Sequence, residues 1–258
     1  METQFFEIER RDHIATVSFD RPPVNALNDQ VFAEIHDVFQ SVAQDWDTRA
    51  IVFASAVERA FCAGADLKTR GREPEPVPRP TDARRVARDA MWAILDCPVP
   101  VIAAVNGPAL GGGLCLVACC DIIVASEKAT FGCPEIGVGL LGAGSHLKRM
   151  VGPYRMRELY FTGRTVPAAE MYEMGGLSRV VPHEDLGNAA REIATEIASK
   201  SPPAVRLAKE SLNRVDEMPF KEAYRTEQEY TARLAHYEDS KEAMAAFREK
   251  RAPRFSGR

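Results

Sequence analysis

Residues 99–113 read VPVIAAVNGPALGGG, an apolar run rich in β-branched residues that leads into a loop of small residues. Residues 50–67 have the same design and read AIVFASAVERAFCAGADL. Glycine and alanine leave backbone N–H groups open to close approach by a ligand. Two such loops can each direct one N–H group at a single oxygen atom, which is the geometry of an oxyanion hole. The pair therefore predicts chemistry at a carbonyl group.

The composition favours a large, soluble, folded protein. The chain has 258 residues, 45% of them hydrophobic, and a formal net charge of −4, which gives no electrostatic reason to bind nucleic acid or an anionic membrane. The longest apolar run, Val99–Val105, is far shorter than the roughly 20 residues that span a bilayer. The start, Met1–Gln4, resembles neither a secretory signal nor a transit peptide. We therefore expect a cytoplasmic protein with no nucleic-acid partner and no membrane partner.

Six cysteines stand mostly among apolar residues, at positions 62, 97, 115, 119, 120 and 133. Cys115 and Cys119 have the spacing of two metal ligands on one helical face, but no histidine lies near them in the sequence. Free cysteine behaves as a small apolar residue, so buried structural thiols are the favoured interpretation. We expect no metal site.

Hydrophobic periodicity predicts an α/β fold with a parallel sheet. Two strands alternate within Phe6–Phe19, a helix follows the N-cap residue Asn28, and a strand follows at 50–54. This order is the βαβ unit of a parallel sheet that is covered by helices. Later helices are predicted at 82–95, 114–120, 145–150, 155–161 and 168–174, and later strands at 99–105 and 121–125.

The pattern is helical from Leu186 onward, with breaks at Ser201–Pro203 and Met218–Pro219. We therefore divide the chain into a core over residues 1–200 and a helical C-terminal region over residues 201–258. Residues 73–80 read EPEPVPRP, and so many prolines exclude a helix or a central strand. This segment is predicted as a surface loop or as a mobile lid beside the first loop.

An ordered series of motifs over nearly the whole chain resembles the crotonase superfamily, the enoyl-CoA hydratase/isomerase family. Besides the two loops, the series contains RPPVNAL at 21–27, DII at 121–123, FGCPE at 131–135, FTG at 161–163, AAE at 168–170, AKES at 208–211 and FREKR at 247–251. The resemblance implies a crotonase-like spiral of ββα repeats with a helical C-terminal trimerisation region. It also implies an acyl-CoA thioester substrate and a homotrimer or a hexamer. No cofactor is implied, because coenzyme A is part of the substrate.

The same resemblance assigns roles to residues of the two loops. The thioester oxygen would lie between the N–H groups of Ala65 and Gly112. The substrate-binding residues would be Ala63, Ala65, Asp66, Leu67, Lys68, Leu110, Gly112 and Lys250. The two lysines are candidates to contact CoA phosphates, and ordinary solvated lysines are the alternative.

The acid/base residues depart from the pattern of hydratases in this superfamily, which use two glutamates on opposite sides of the substrate. Glu135 matches the second glutamate, whereas the first position, two residues after the triple glycine, is Cys115. A cysteine has an ordinary pKa of about 8.5, and burial would keep it neutral at pH 7. Glu135 is therefore predicted as the single catalytic carboxylate. An exposed loop carboxylate is the alternative.

His146 is a second candidate, because it occupies a place that family hydratases fill with a small residue. It follows Gly142–Gly144, where a histidine can act as an acid or base or orient a water molecule. A hydrogen-bonding buried histidine or a trimer contact is the alternative. The Gly-Ala-x-x-His-Leu pattern here also resembles ring-opening hydrolases of cyclic β-keto acyl-CoAs.

These residues predict an acyl-CoA enzyme that stabilises a thioester enolate and moves protons with one glutamate. Hydration, double-bond isomerisation and C–C hydrolysis of a cyclic β-keto acyl-CoA remain open as the reaction. A non-catalytic acyl-CoA-binding protein is the rival from a different class, although Glu135 and both intact loops argue against it.

Overall fold

The computed structural model describes residues 3–66 and 84–257. Leu67 and Lys68, two of the predicted substrate-binding residues, lie outside the described residues. So do the proline-rich segment at 73–80 and the predicted start of a helix at 82. The assignments made for these positions stay predictions.

Two sheets form the framework of the fold. Within the described ranges the strands are β1 (Phe6–Arg11), β2 (Ile14–Phe19), β3 (Ala50–Ser55), β4 (Val101–Val105), β5 (Ala109–Leu110), β6 (Ile122–Ser126), β7 (Thr130–Gly132), β8 (Thr165–Pro167) and β9 (Arg179–Val181). The larger sheet has the order β1-β2-β3-β4-β6-β9, and the smaller has the order β5-β7-β8. All pairs of the larger sheet are parallel except β1 with β2. A sheet of this kind confirms the predicted α/β class.

Helices surround the sheets and make up the C-terminal part. They are α1 (Asp29–Ala43), α2 (Arg85–Leu95), α3 (Gly112–Ala118), α4 (Gly144–Met150), α5 (Pro153–Thr162), α6 (Ala168–Glu173), α7 (Leu186–Ala198), α8 (Pro202–Val215), α9 (Phe220–Leu234) and α10 (Glu238–Glu249). The N-cap of α1 is Asn28, as predicted: its side-chain oxygen accepts a hydrogen bond of 2.9 Å from the N–H of Val31. In residues 3–66 and 84–257, no helix combines the length and the apolar character that crossing a membrane requires.

The alternation of side chains along the strands gives the larger sheet two buried faces. Val17, Phe53 and Ala103 are neighbours across β2, β3 and β4, and all three belong to the main core under α1. The intervening residues, such as Val52 and Ala104, pack on the opposite face against α7. Burial on both faces explains why β3 and β4 are continuous apolar runs rather than alternating ones.

The structure differs from the sequence predictions at short elements and at one helix end. Helix α3 begins at Gly112, two residues before its predicted start, because the last two glycines of the loop form its first turn. Strands β5, β7, β8 and β9 were not predicted. Each has two or three residues and is defined by pairing with a distant partner, which no local pattern reveals. The predicted break at Ser201–Pro203 is confirmed, because α7 ends at Ala198 and the prolines at 202 and 203 begin α8.

An ion pair that is buried at its lysine and partly exposed at its aspartate joins the C-terminal helices to the sheet. The ammonium group of Lys209 on α8 lies 2.7 Å from a carboxylate oxygen of Asp121 and donates to the carbonyl of Val99 at 3.1 Å. The same carboxylate oxygen accepts a hydrogen bond from the N–H of Val101 at the start of β4. Residues 201–258 are thus fastened to the core through α8. The division of the chain at residue 200 stays a prediction.

We expect Lys209→Met to lower the free energy of unfolding by about 2 kcal/mol, the usual loss when hydrogen bonds of a charged group are removed. Lys209 is only 4% exposed, and its removal leaves the Asp121 carboxylate beside the sheet without its counter-ion. Urea denaturation of the two proteins measures the difference. Lys200→Met is the matched control, because Lys200 is exposed and its ion pair with Glu196 is long, 3.7 Å; the expected change is within about 0.5 kcal/mol. Equal unfolding free energies for Lys209→Met and the wild type would contradict this account.

Candidate active site

The two small-residue loops lie against each other at the ends of β3 and β4. The N–H of Leu110 donates to the carbonyl of Cys62 at 3.0 Å, and the N–H of Cys62 donates to the carbonyl of Pro108 at 3.1 Å. A Cβ atom on Gly112 would lie 3.9 Å from the backbone nitrogen of Ala65 and 2.8 Å from the Leu27 side chain. The loops approach most closely at Gly64 and Gly113, where a Cβ atom would lie 2.7 Å from the carbonyl oxygen of Leu110 and 2.1 Å from that of Cys62, so their packing depends on glycine at these two positions.

The backbone N–H groups of Ala65 and Gly112 are available for a ligand. Leu27 pairs with the residues on either side of Ala65, because its N–H donates to Gly64 and its carbonyl accepts from Asp66, both at 2.8 Å. The N–H of Ala65 consequently points away from Leu27. Gly112 is the first residue of α3, where an N–H group has no acceptor within the helix. Among the described residues, neither N–H has a backbone acceptor, which is what an oxyanion hole requires.

The carboxyl group of Glu135 lies directly beside these donors. Glu135 is in the short 3₁₀ helix Pro134–Val138, and it is half-buried. A Cβ atom on Gly111 would lie 2.3 Å from its Oε1 atom, and one on Gly142 would lie 3.9 Å away. The carboxylate therefore lies over the glycine that precedes the Gly112 donor. This position lets it exchange a proton with a substrate whose carbonyl oxygen is bound at Gly112.

Cys115 lines the same cavity but carries no charge at neutral pH. It stands one turn after Gly112 on α3, and its side chain is buried. Burial raises the pKa of the Cys115 thiol far above its usual range, and the neighbouring groups Cys119, Cys133 and Glu135 raise it further. The burial on which the prediction of a neutral thiol rested is present in the structure. All six cysteines are free and buried, as predicted.

His146 on α4 also reaches the cavity. Its Nδ1 atom lies 3.4 Å from the Ser145 hydroxyl. Burial lowers the pKa of the imidazole, and the charge of Arg149 lowers it further. His146 is therefore neutral at pH 7, with one ring nitrogen able to accept a hydrogen bond.

These groups open into one cavity of about 860 Å³. Part of its lining is α2, with Ala87, Met91 and Trp92, and another part is the segment 138–143 after Glu135. Exposed apolar side chains surround the opening, notably Val138 at 65% and Leu141 at 76% exposure. Solvent-exposed apolar surface around a cavity that also holds a carboxylate is typical of a pocket for an apolar ligand.

The predicted substrate-binding residues divide between two connected cavities. Ala63, Ala65 and Gly112 line the main cavity. Asp66 lines a smaller one of about 350 Å³ and forms an ion pair of 3.0 Å with Arg21. The remaining two described positions line neither: Leu110 connects the loops through its backbone, and Lys250 lies at the end of α10.

Sequence reasoning missed the contribution of α2 to the site. Arg84, Arg88, Met91 and Trp92 line the main cavity. Trp92 lies on an amphipathic helix but is 53% exposed. A large aromatic side chain outside the apolar stripe of a helix was the feature of the sequence that could have indicated the role of α2 in the site. Among the described residues, no group of three His, Cys, Asp or Glu side chains is arranged to hold a metal ion.

Comparison with known proteins assigns this fold and site to a family. The profile of the family described as Enoyl-CoA hydratase/isomerase matches residues 9–258. The chain belongs to the enoyl-CoA hydratase/isomerase family. It is accordingly an acyl-CoA enzyme, as predicted from the two loops and the motif series.

Solved structures and curated relatives agree with this assignment. The crystal structure of an enoyl-CoA hydratase from Bacillus anthracis superposes with a TM-score of 0.92 at 33% identity, over 99% of this chain and 100% of that one, which confirms the crotonase-like fold. A probable enoyl-CoA hydratase of Mycobacterium bovis is 40% identical over 260 residues, 97% of each chain. A (7aS)-7a-methyl-1,5-dioxo-2,3,5,6,7,7a-hexahydro-1H-indene-carboxyl-CoA hydrolase of Rhodococcus jostii is 41% identical over 223 residues, 86% of each chain.

In this enoyl-CoA hydratase/isomerase family member, Gly111→Ala is expected to lower kcat by about 10²-fold. Gly111 has φ of +52°, and the added Cβ would push the Glu135 carboxylate away from its position next to the Gly112 N–H group. Steady-state turnover of an acyl-CoA substrate measures the loss. Gly175→Ala is the matched control: Gly175 also has a positive φ, +85°, but open space surrounds its Cβ position. If both variants lost activity equally, backbone strain rather than displacement of Glu135 would be the cause.

Proposed function

We propose that this enzyme hydrolyses a carbon–carbon bond in a cyclic β-keto acyl-CoA and so opens the ring. The observation that carries the proposal is the pairing of Glu135 with a neutral thiol, Cys115, across the cavity. Of the cavity-lining residues within 3–66 and 84–257, Glu135 alone is a carboxylate. A reaction that one carboxylate can complete therefore fits this site better than two-glutamate hydration.

Ring opening requires that one proton be removed from water and that one proton be added to Cα. Glu135 takes a proton from water, and the resulting hydroxide adds to the ring ketone. The bond between that carbon and Cα breaks, and its electron pair forms the thioester enolate. The N–H groups of Ala65 and Gly112 stabilise the enolate oxygen. Glu135 then gives its proton to Cα, and the former ketone carbon becomes a carboxylic acid, still attached through the opened ring, that loses its proton to solvent.

His146 fits the role of a residue that orients the attacking water. As a neutral imidazole in the cavity wall, it offers a ring nitrogen to accept a hydrogen bond from that water molecule. Glu135 and His146 reach the cavity from neighbouring elements, the 3₁₀ helix and α4. The water would be held between a proton acceptor and an orienting group.

The names of two relatives support the same reaction class. The Rhodococcus jostii protein and its counterpart in Mycobacterium tuberculosis, 42% identical over 221 residues, are both hydrolases of a dioxo, ring-containing carboxyl-CoA. A keto group on a ring attached to a CoA thioester is the substrate chemistry that the proposed mechanism requires. We extend this chemistry to the present chain.

The test is turnover of 2-oxocyclohexanecarboxyl-CoA in ¹⁸O-labelled water, followed by mass spectrometry. We expect one ¹⁸O atom in the new carboxylate of a ring-opened acyl-CoA that has gained one molecule of water. Thioester hydrolysis would instead release free CoA and would overturn the proposal. Retention of the ring, while enoyl-CoAs are hydrated or isomerised, would overturn it as well. Binding of acyl-CoAs with no turnover of any of them would favour a non-catalytic binding protein.

We also propose that the enzyme assembles as a homotrimer or as a hexamer of two trimers. Apolar side chains on the C-terminal helices support an interface there: Phe220 and Tyr224 of α9 and Met244 and Phe247 of α10 are exposed in the single chain. Light scattering on the purified protein measures the mass. The predicted contact of Lys250 with CoA phosphates stays part of this proposal. Lys250 does not line the main cavity of its own chain, so the contact would have to be made with CoA in a neighbouring subunit.

A further inference from the structure

We infer that Arg84 and Arg88 form a subsite for a carboxylate on the acyl group. The inference deepens the proposed function and rests on it for the origin of that carboxylate, which is the one that ring opening creates. Its test requires only binding, so it can fail or succeed independently of turnover.

Both arginines face the cavity from one side of α2. Arg84 is the N-cap residue of α2 and Arg88 lies one turn later, with the N–H of Arg88 donating to the Arg84 carbonyl at 3.2 Å. Residues with this spacing are neighbours on one helical face. Both line the main cavity together with Ala87 and Met91. Two guanidinium groups therefore stand side by side at the edge of an otherwise apolar wall.

Neither guanidinium group forms an ion pair with a residue in the part of the chain that the structure describes. Arg85, between them in the sequence, is different, because it forms an ion pair of 3.4 Å with Asp89. No acidic residue occupies the first turn of α2 to neutralise the pair. The planar guanidinium group matches a carboxylate through two parallel hydrogen bonds. The two arginines consequently offer binding capacity for an anion that enters the cavity.

The arrangement of the two cavities places this anion on the acyl group rather than on CoA. A thioester oxygen held by Ala65 leaves two directions for the rest of the molecule. The smaller cavity continues from the main one through Leu27, Phe32 and Ala65, and no residue of α2 lines it. The CoA moiety can leave through this side. The acyl group then lies in the main cavity, along the wall that carries Arg84 and Arg88.

Ring opening supplies the anion. The substrate has a neutral ketone where the product has a carboxylate, and this carboxylate is at the end of the acyl chain remote from the thioester. Glu135 in the same cavity would repel it once Glu135 has returned its proton. Arg84 and Arg88 offset that repulsion and favour the ring-opened product over the closed ring.

Calorimetric titration with two acyl-CoAs of equal chain length tests the subsite. Pimeloyl-CoA carries a terminal carboxylate and heptanoyl-CoA carries a methyl group in its place. We expect the wild type to bind pimeloyl-CoA about fivefold more tightly, as for a solvent-accessible charge pair. The double variant Arg84→Gln, Arg88→Gln should lose this preference and bind heptanoyl-CoA as the wild type does. Arg85→Gln is the matched control and should keep the preference.

Two results would overturn the subsite. One is a wild type that binds both ligands equally. The other is a double variant that binds pimeloyl-CoA, heptanoyl-CoA and free CoA more weakly by the same factor, because the arginines would then contact CoA phosphates. A further outcome separates the two proposals. If the preference for pimeloyl-CoA disappears in the double variant but the enzyme opens no cyclic β-keto acyl-CoA, the subsite is supported and the proposed function is overturned.

Discussion

Glu135→Gln is expected to lower kcat on a cyclic β-keto acyl-CoA by about 10²–10⁴-fold, the usual contribution of a general acid or base. Glutamine has nearly the same shape as glutamate and fits over Gly111, but its amide cannot take the proton of water or return it to Cα. Binding of the acyl-CoA should persist, because the donors at Ala65 and Gly112 are unchanged. Steady-state kinetics and calorimetric titration together measure the two effects.

The control for this variant is Glu173→Gln, which makes the same chemical change at an exposed position on α6. It should leave kcat unchanged. A Glu135→Gln enzyme that kept wild-type turnover would show that another group moves the protons. Loss of binding together with loss of turnover would instead point to a structural role for Glu135.

Cys115→Glu is expected to raise hydration of crotonyl-CoA by about 10²-fold over the slow rate of the wild type. The wild-type rate should be slow because the neutral thiol at position 115 can neither activate water nor supply a proton. A glutamate at this position extends into the cavity that Cys115 already lines and faces Glu135. The site would then hold two carboxylates. The gain is measured as the rate at which crotonyl-CoA is converted to the hydroxyacyl-CoA, which is monitored through the loss of enoyl absorbance.

Cys115→Gln is the matched control, because it adds the same volume without a group that transfers protons. It should not gain hydration. If Cys115→Glu folds, binds crotonyl-CoA and still gains nothing, cavity geometry rather than the missing carboxylate limits hydration, which would contradict the role given to Cys115. Circular dichroism and titration with crotonyl-CoA establish folding and binding for both variants.

Local sequence signals predicted the parts of the site that follow directly from regular strands. Asn28 marks the start of α1 because an N-cap depends on residues three positions apart. The two loops follow β3 and β4, and adjacent parallel strands bring their carboxyl ends to one edge of the sheet. Glu135 was found through its family motif. Its position over Gly111 depends on backbone contacts that no local pattern contains.

The α2 wall of the cavity could not be predicted from the sequence. Arg84, Arg88 and Trp92 reach the cavity because α2 packs against α1, and this packing is a tertiary contact that no local pattern contains. In the sequence the two arginines have the pattern of a solvated helix surface. Only their position in the lining of the cavity that also holds Glu135 relates them to the substrate.

The comparison that tests the central claim most directly is the kcat/KM of the wild type on 2-oxocyclohexanecarboxyl-CoA and on crotonyl-CoA, measured with one enzyme preparation. Because the site has one carboxylate beside an oxyanion hole, we expect kcat/KM for ring opening to exceed kcat/KM for hydration by at least about 10²-fold. This factor is the lower end of what a general acid or base contributes. Hydration of crotonyl-CoA at a rate equal to or above that of ring opening would contradict the account.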